Sequence, residues 1–287
     1  MKILVTGGTG TVGSSVVQEL LARDVEISVL TRSEESAKKL PQGVNAVIGN
    51  LAEPDDVLSA FSGMDGLFLL NAVGPTETHE GLMAVCGARL AGIKRIVYLS
   101  VHHADGAPWL PHFGAKIAVE TALKKSGIPH TILRPNNFFQ NDYWFKDIIL
   151  NYGVYPAPIG DAGVSRVDVR DIAEAAAITL TTDGHDGETY NLVGPTLETG
   201  QSAAATWSTV LGKTVAYGGN NLDAWAKQVS DYYPAWMVFD LKLMFEFFQQ
   251  EGLKAPQEDL DRLTKLLGRP PRNFEDFAKE TAAMWQA

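Results

Sequence analysis

The chain has 287 residues, of which 45% are apolar and 20% are charged, so its composition is that of a globular protein and excludes a disordered or fibrous one. Its 24 basic and 34 acidic residues give a formal net charge of -10 without a dense basic run, which argues against direct nucleic-acid binding. The single cysteine, Cys86, excludes an internal disulfide and a multi-cysteine metal site.

Short apolar runs alternate with amphipathic segments through the first 135 residues. Each run is bounded by Gly, Asn, Pro or polar residues, which predicts a buried strand. The six predicted strands lie at 3–5, 26–30, 46–48, 66–70, 95–99 and 131–133. Helices are predicted between them at 12–22, 54–61, 77–91 and 113–125, with a shorter candidate at 34–40. This alternation predicts an α/β fold, a doubly wound parallel sheet of the Rossmann type.

The regular alternation ends at Pro135. We therefore predict a cofactor-binding core over residues 1–135 and a smaller, mostly helical substrate lobe over 136–287 that is interleaved with it. The lobe has predicted helices at 138–150, 201–211 and 234–250, a helix after Asp171 and a short strand at 190–193. The segment 234–250 has only a narrow polar stripe, which predicts a helix that is buried around most of its circumference, against the core or a partner subunit. An apolar lid over a substrate pocket is the alternative.

The strongest local motif is the glycine loop at residues 6–13, which follows the first strand and opens the first helix. Gly7 permits a sharp turn, Gly10 lets the backbone approach a pyrophosphate, and Gly13 lets the helix pack close to the sheet. The N–H groups and dipole of the helix N-terminus favour a phosphate. The motif predicts dinucleotide binding by Gly7, Thr9, Gly10, Thr11, Val12 and Gly13.

The end of the second strand distinguishes the two nicotinamide dinucleotides, because an acidic residue there binds a free ribose 2'-hydroxyl and a cation pairs with a 2'-phosphate. This chain has Arg32 followed by Ser33 at that place. A guanidinium can hold a phosphate bidentately, and the hydroxyl adds a donor. NADP(H) is therefore predicted in preference to NAD(H), although Glu34 and Glu35 follow closely.

Further cofactor contacts are expected where the third and fourth strands end, because ligands bind at the carboxyl ends of parallel strands. Asn50 and Leu51 are candidates to flank the adenine. Asn71, Ala72 and Val73 are candidates to line the path of the ribose and pyrophosphate. Ordinary turn chemistry is the alternative interpretation for both segments.

Several segments together carry a family resemblance. They are the glycine loop and residues 95–100, 111–116, 131–141, 167–173 and 268–277. The sequence resembles the NmrA-like branch of the atypical short-chain dehydrogenase/reductases over nearly its whole length. The resemblance implies a Rossmann domain with a small C-terminal lobe and a nicotinamide cofactor. The branch includes quinone and dye reductases, and also regulators that bind the dinucleotide without turning it over.

The catalytic motif departs from the pattern that the resemblance implies. The wider superfamily uses Tyr-x-x-x-Lys, a spacing that places both side chains on one helix face. This chain has His112-x-x-x-Lys116. By resemblance, Lys116 anchors the nicotinamide ribose, and His112 takes the place of the tyrosine. An imidazole can exchange a proton near neutral pH, so His112 is a candidate acid or base.

Other site residues are also implied by the resemblance. Ser100 matches the serine that orients the substrate, with Val101 as the alternative alignment, and Tyr98 shares its strand face. The matches to positions that flank the nicotinamide are Pro135, Asn136 and Phe138. Candidates for the substrate side are Asn137, Gln140 and Tyr143. A helix cap followed by a solvated helix face is the alternative for this last segment.

These observations predict an NAD(P)H-dependent oxidoreductase that transfers hydride to a small quinone-, enone- or carbonyl-type acceptor. The alternative is a redox-sensing regulator that binds NADP(H) without turnover. We expect a small-molecule acceptor as partner, no membrane, no metal, and a monomer or homodimer. The lone Cys86, expected to be a buried thiol, fits a reducing cytoplasm.

Overall fold

The computed structural model describes residues 1–286, which divide into two compact units. The first unit comprises Met1–Pro135 and Val169–Asn191. The second comprises Asn136–Asp168 and the chain from Leu192 onward. The predicted division at residue 135 coincides with one of these boundaries, and the chain then returns to the first unit once, for residues 169–191.

The strands follow the chain in two sheets. They are β1 (Lys2–Thr6), β2 (Glu26–Thr31), β3 (Val44–Ile48), β4 (Gly66–Leu69), β5 (Arg95–Leu99), β6 (His130–Pro135), β7 (Val154–Tyr155), β8 (Thr189–Leu192) and β9 (Ala216–Tyr217). The larger sheet has the order β3-β2-β1-β4-β5-β6-β8, and β7 pairs with β9 in the second unit. From β1 the successive strands β2 and β3 are added on one side, and from β4 onward the strands are added on the other side. The position between β1 and β4 is therefore the topological switch point, where such folds bind ligands.

The helices connect these strands. They are α1 (Thr11–Leu21), α2 (Glu34–Ala37), α3 (Pro54–Phe61), α4 (Glu77–Ala91), α5 (Pro111–Lys125), α6 (Val169–Thr181), α7 (Gly200–Leu211), α8 (Leu222–Val229), α9 (Ala235–Gln250), α10 (Gln257–Leu267) and α11 (Phe274–Gln286). The six predicted strands and the helices between them are confirmed within a few residues. The predicted Rossmann fold is confirmed by the parallel pairings of the sheet.

Two expectations for the first unit are corrected by the structure. The strand predicted as buried at 46–48 is β3, which lies at the sheet edge and exposes Asn45, Ala46 and Ile48. An edge strand has a neighbour on one side only, so fewer of its side chains are covered. The thiol of Cys86 is exposed on α4 and not buried, because it lies on a solvent-facing side of that helix.

The segment 169–191 extends the first unit beyond residue 135. Helix α6 packs on α1, and the guanidinium of Arg23 donates to Thr181 Oγ1 over 2.9 Å. Strand β8 lies beside β6, and the Ile132 N–H donates to the Glu188 carbonyl over 2.9 Å. The short strand predicted at 190–193 is therefore the seventh strand of the main sheet.

In the second unit, the helix predicted at 138–150 is wrong. Residues Phe139–Phe145 form a 3-10 helix and Ile148–Tyr152 a single π-helical turn. Arg166 accounts for the start of this segment, because its Nη2 donates to the carbonyl oxygens of Phe138 at 2.8 Å and Phe139 at 3.3 Å. The Phe138 carbonyl also accepts the Asn141 N–H at 3.3 Å, so Arg166 and a 3-10 hydrogen bond share it.

The helix predicted at 234–250 is confirmed as α9, and within this single chain its buried apolar residues lie in the C-terminal half. Phe239 is 61% exposed, whereas Met244, Phe245, Phe247 and Phe248 are buried. Only the C-terminal half thus contributes to the core of its unit. No α-helix within residues 1–286 combines the length and the apolar character needed to cross a membrane.

Candidate functional site

The glycine loop is shaped by close contacts at three positions, one of them Gly8, where a Cβ would lie 2.6 Å from Val29 Cγ1. Gly7 has a φ of 65°, in the left-handed region, and a Cβ there would lie 2.5 Å from Leu70 Cδ2. A Cβ at Gly13 would lie 2.1 Å from the Gly7 carbonyl oxygen. At Gly10 a Cβ would meet only the Gly7 oxygen, at 3.4 Å. The backbone therefore requires glycine at 7 and 13 and leaves the space beside Gly10 open.

The N-terminus of α1 is available to an anion. Gly10 is the N-cap residue, no side chain caps it, and the first turn holds no acidic residue. Thr9, Gly10 and Thr11 are exposed, whereas Val12 is buried beneath them. The N–H groups and the positive end of the helix dipole therefore face solvent, as a pyrophosphate site requires.

Arg32 and Ser33 differ in what they can offer a ligand. Arg32 is exposed directly after β2, and no carboxylate in the described part of the chain pairs with it. The Ser33 hydroxyl caps α2, accepting the Ser36 N–H at 3.2 Å and donating to Ser36 Oγ at 3.1 Å. The arginine is thus available for a phosphate, and the serine hydroxyl already has a structural partner.

The two candidate segments after β3 and β4 behave differently. Asn50 makes a local turn, since its Oδ1 accepts the Ala52 N–H at 3.1 Å, and Leu51 packs in the core. After β4, Asn71 is buried, and its Oδ1 has no hydrogen-bond partner within residues 1–286. Ala72 and Val73 beside it are exposed. A buried acceptor without a partner suits a ligand hydroxyl.

Lys116 forms a buried ion pair that the sequence did not reveal. Its Nζ lies 2.8 Å from Oε1 of Glu77, and the two side chains are 8% and 1% exposed. Asn71 Nδ2 donates to the Glu77 carbonyl oxygen at 2.8 Å, and Lys116 Nζ donates to the Asn71 carbonyl oxygen at 3.4 Å. The ammonium is therefore held at the carboxyl ends of β4 and β5, the sheet edge that also carries the glycine loop.

Tyr98 lies beside this ammonium. Its ring centroid is 5.5 Å from Lys116 Nζ, a cation–π distance. The Tyr98 hydroxyl is buried and has no hydrogen-bond partner within residues 1–286. Burial raises the pKa of Tyr98 well above its ordinary value, and the charges of Glu77 and Glu120 add to this. The geometry therefore favours the ring as a support for Lys116 over the hydroxyl as a proton donor.

Ser100, directly after β5, belongs to a second polar network, which is centred on Glu120 of α5. Its hydroxyl donates to Glu120 Oε1 at 2.6 Å, and Arg134 donates to both Glu120 oxygens at 2.8 and 2.7 Å. Arg134 also pairs with Asp105 at 2.7 Å. Burial by itself would raise the pKa of Glu120, but the hydrogen bonds from Arg134 and Ser100 leave it lowered. The Ser100 proton is thus directed toward Glu120.

His112 lies in the first turn of α5, one helical turn before Lys116. Its ring packs edge-on against Phe113, with centroids 4.8 Å apart and an interplanar angle of 87°. The side chain is half-buried. His112 and Lys116 therefore share a helix face, as the four-residue spacing predicts.

The residues predicted beyond β6 have structural partners in their own unit. Asn136 Nδ2 donates to the Leu253 carbonyl at 2.8 Å, Asn137 Oδ1 accepts from Arg166 at 3.2 Å, and Gln140 Nε2 donates to Asp168 at 2.9 Å. Phe138 is half-buried. The 40% exposed Tyr143 packs on Phe277, with centroids 5.7 Å apart. Pro135 is buried at the end of β6 in the first unit.

The arrangement in the first unit defines a class of protein. A parallel sheet whose first helix is uncapped and preceded by a glycine loop is typical of a dinucleotide-binding Rossmann fold. The exposed Arg32 and the buried Lys116 lie at the same carboxyl edge of this sheet. No group of three or more His, Cys, Asp or Glu side chains that could hold a metal occurs within residues 1–286.

The chain belongs to the NmrA-like family, whose model matches residues 1–278. It is 31% identical to an NAD(P)H azoreductase of Xenophilus azovorans, over 99% of both chains. It is 33% identical to a (4-alkanoyl-5-oxo-2,5-dihydrofuran-3-yl)methyl phosphate reductase of Streptomyces griseus, over 98% of both. A solved NADPH-dependent quinone oxidoreductase of Escherichia coli, complexed with NADPH, is 27% identical with a TM-score of 0.87, covering 97% of this chain and 99% of that one.

Glu77 is the residue of the site that sequence reasoning missed. In the sequence it stands at the start of the helix predicted at 77–91, where the helix dipole already favours an acidic residue. The usable signal was its position after β4, at the carboxyl edge where ligands bind. The pairing partner lies 39 residues further along the chain, so no local pattern joins the two.

Proposed function

We propose that this protein is an NADPH-dependent oxidoreductase that transfers hydride to a small quinone-, enone- or carbonyl-type acceptor. The observation that carries the proposal is the buried ammonium of Lys116, held by Glu77 at the sheet edge that also carries the uncapped glycine loop. The relatives named above, reductases of azo compounds, a furanone phosphate and quinones, support the same reaction class.

The residues present fit NADPH. The open space at Gly10 and the N–H groups of α1 suit the pyrophosphate, and the exposed Arg32 suits the 2'-phosphate. Asn71 Oδ1, a buried acceptor, and Lys116 Nζ, a buried donor, suit the ribose hydroxyls. When bound, NADPH supplies the hydride that reduces the acceptor.

The chain's own residues orient the reaction and handle the proton. The Lys116 ammonium has three N–H donors, and Glu77 and the Asn71 carbonyl oxygen can each accept one of them. At least one donor therefore remains for a ligand. His112, one turn earlier, is proposed to give or take the proton of the acceptor. An acceptor that takes hydride first and is protonated later by solvent needs no tyrosine at this place. Because the Ser100 hydroxyl donates its hydrogen bond to Glu120, it can only accept a hydrogen bond from a ligand.

The test is NADPH oxidation by the purified protein with a panel of quinones, azo dyes, enones and aldehydes. We expect turnover with at least one conjugated acceptor and a preference for NADPH over NADH. A matched assay of NADPH binding by calorimetry separates the two functions considered. Tight binding of NADPH without turnover on any acceptor would overturn the reductase and support the redox-sensing regulator.

We place the protein in the cytoplasm, where NADPH and a free Cys86 thiol are both expected.

A further inference from the structure

We propose that Glu77 is a positioning residue, which fixes the ammonium of Lys116 for the ribose of the cofactor. The inference deepens the proposed function and rests on it. Glu77 acts through Lys116, so it is not itself a catalytic residue. Its role is to orient the buried ammonium of Lys116 at this sheet edge.

The position of Glu77 is unusual for a carboxylate in the first turn of a helix. Such a side chain ordinarily remains near solvent, beside the N–H groups of its own helix. Here it is 1% exposed, and its Oε1 lies 2.8 Å from Lys116 Nζ. Thr76, the N-cap of α4, makes no side-chain cap. The Glu77 carboxylate thus forms an ion pair with a lysine of another helix, α5, and no side chain caps the N-terminus of its own helix, α4.

The approach of α4 to α5 is fixed by a glycine. Gly81 lies one turn after Glu77, and a Cβ on it would come 2.4 Å from Cγ2 of Val119, which lies almost one turn after Lys116. The two helices therefore pack closer at this point than an alanine would allow. This close packing sets the separation of the helices on which the 2.8 Å pair depends.

Stability alone is a weak reason for such a pair. Removing two charges from water is costly, and a buried pair is often no better than apolar residues of similar size. The backbone around Glu77 is also fastened independently, because Asn71 Nδ2 holds its carbonyl oxygen at 2.8 Å. The Glu77 carboxylate instead fixes the orientation of the Lys116 ammonium. The Tyr98 ring, whose centroid is 5.5 Å from Lys116 Nζ, supports the same orientation.

The test is the NADPH dissociation constant, measured by titration calorimetry for Glu77→Gln, Lys116→Met and the double variant. We expect Glu77→Gln to weaken binding about tenfold in the wild-type background and to have no further effect on Lys116→Met. Glu80→Gln is the matched control, since Glu80 lies on the same helix and bonds Thr76 at the surface. Thermal unfolding of each variant, recorded separately, checks that the fold is retained.

A purely structural Glu77 would give a different pattern. It would lower binding equally in both backgrounds, in step with the loss of thermal stability, and this result would overturn the proposal. A second variant covers the case in which Glu77→Gln does not fold. Gly81→Ala should weaken NADPH binding, and adding Val119→Ala should restore it by removing the obstructing methyl groups. Unaltered binding in Gly81→Ala would likewise contradict the proposal.

The proposed function can fail without this inference failing. If no acceptor is reduced while NADPH binds, the reductase is wrong and the binding comparison still tests Glu77. If acceptors are reduced and Glu77→Gln binds NADPH like the wild type, the positioning role is wrong and the reductase stands.

Discussion

Two buried cation–carboxylate pairs, one in each unit, differ in how completely their cations are used. In the first unit Lys116 has one ion pair with Glu77 and a long contact to the Asn71 carbonyl. In the second unit Arg166 pairs with Asp142 at 2.7 Å. Arg166 also donates to Asn137, to the Tyr155 hydroxyl and to the carbonyl oxygens of Phe138 and Phe139.

The difference separates a cation that holds a fold from one that is ready for a ligand. Arg166 is 1% exposed, and its guanidinium lies 4.9 Å from the Phe274 ring centroid. Asp142 also accepts from the Trp207 indole at 2.9 Å and from the Tyr155 hydroxyl at 3.2 Å. Such a saturated network fixes one arrangement of its unit. Lys116, which is also buried, has fewer partners, and this is the property expected of a binding group.

The largest effect on stability is expected from Arg166→Met. Asp142 would stay buried without its cation, and the carbonyl groups of Phe138 and Phe139 would each lose one donor. We expect a loss of about 3–5 kcal/mol in the free energy of unfolding, measured by urea denaturation. Arg89→Ala, an exposed arginine on α4, is the control and should change little. An unchanged unfolding midpoint for Arg166→Met would refute its structural role.

Neutralising both members of each pair sharpens the comparison. Lys116→Met leaves Glu77 buried and should destabilise by about 1–3 kcal/mol, and adding Glu77→Gln should recover most of that loss. Adding Asp142→Asn to Arg166→Met should recover little, because the hydrogen bonds from Arg166 to the Phe138 and Phe139 carbonyl groups are not restored. Both series are read by denaturation. Equal recovery in the two units would remove the distinction.

Arg32 offers a third cation, exposed and without a carboxylate partner in the described chain. It should therefore affect a ligand and not the fold. We expect Arg32→Ala to weaken NADPH binding by about 10- to 100-fold, the loss of one charged hydrogen-bonding group. NADH binding should change little, because it has no 2'-phosphate. Calorimetric titration with both dinucleotides decides this, and an equal loss for both would contradict the assignment.

Glu120 is an intermediate case, since its partner Arg134 also reaches the exposed Asp105. Its folded-state pKa is lowered, so the unfolded chain binds the proton more readily. The stability that this carboxylate contributes is complete above its unfolded pKa of about 4.5 and is lost as the pH falls through the lower folded value. We expect Glu120→Gln to flatten the acid side of the stability curve. An identical acid limb for the variant would show that the pair contributes nothing.

The first unit was predictable because its signals are local. Apolar runs bounded by turn residues predicted β1 to β6, and the glycine spacing predicted the tight turn that opens α1, since both depend on neighbours in the chain. Glu77 was missed because its partner is remote in sequence. The second unit resisted prediction for the same reason. Arg166 donates hydrogen bonds to the Phe138 and Phe139 carbonyl groups, and it lies more than twenty residues further along the chain. The local sequence around residue 138 therefore does not indicate these bonds.

The central claim is that Lys116, beyond its contribution to the fold, serves hydride transfer from NADPH. The direct measurement is the rate of NADPH oxidation at saturating NADPH with the best acceptor, for Lys116→Met against Lys125→Met, an exposed lysine of the same helix. The account predicts a rate lowered about a hundredfold in Lys116→Met, with Lys125→Met like the wild type. A folded Lys116→Met protein that oxidises NADPH at the wild-type rate would contradict it.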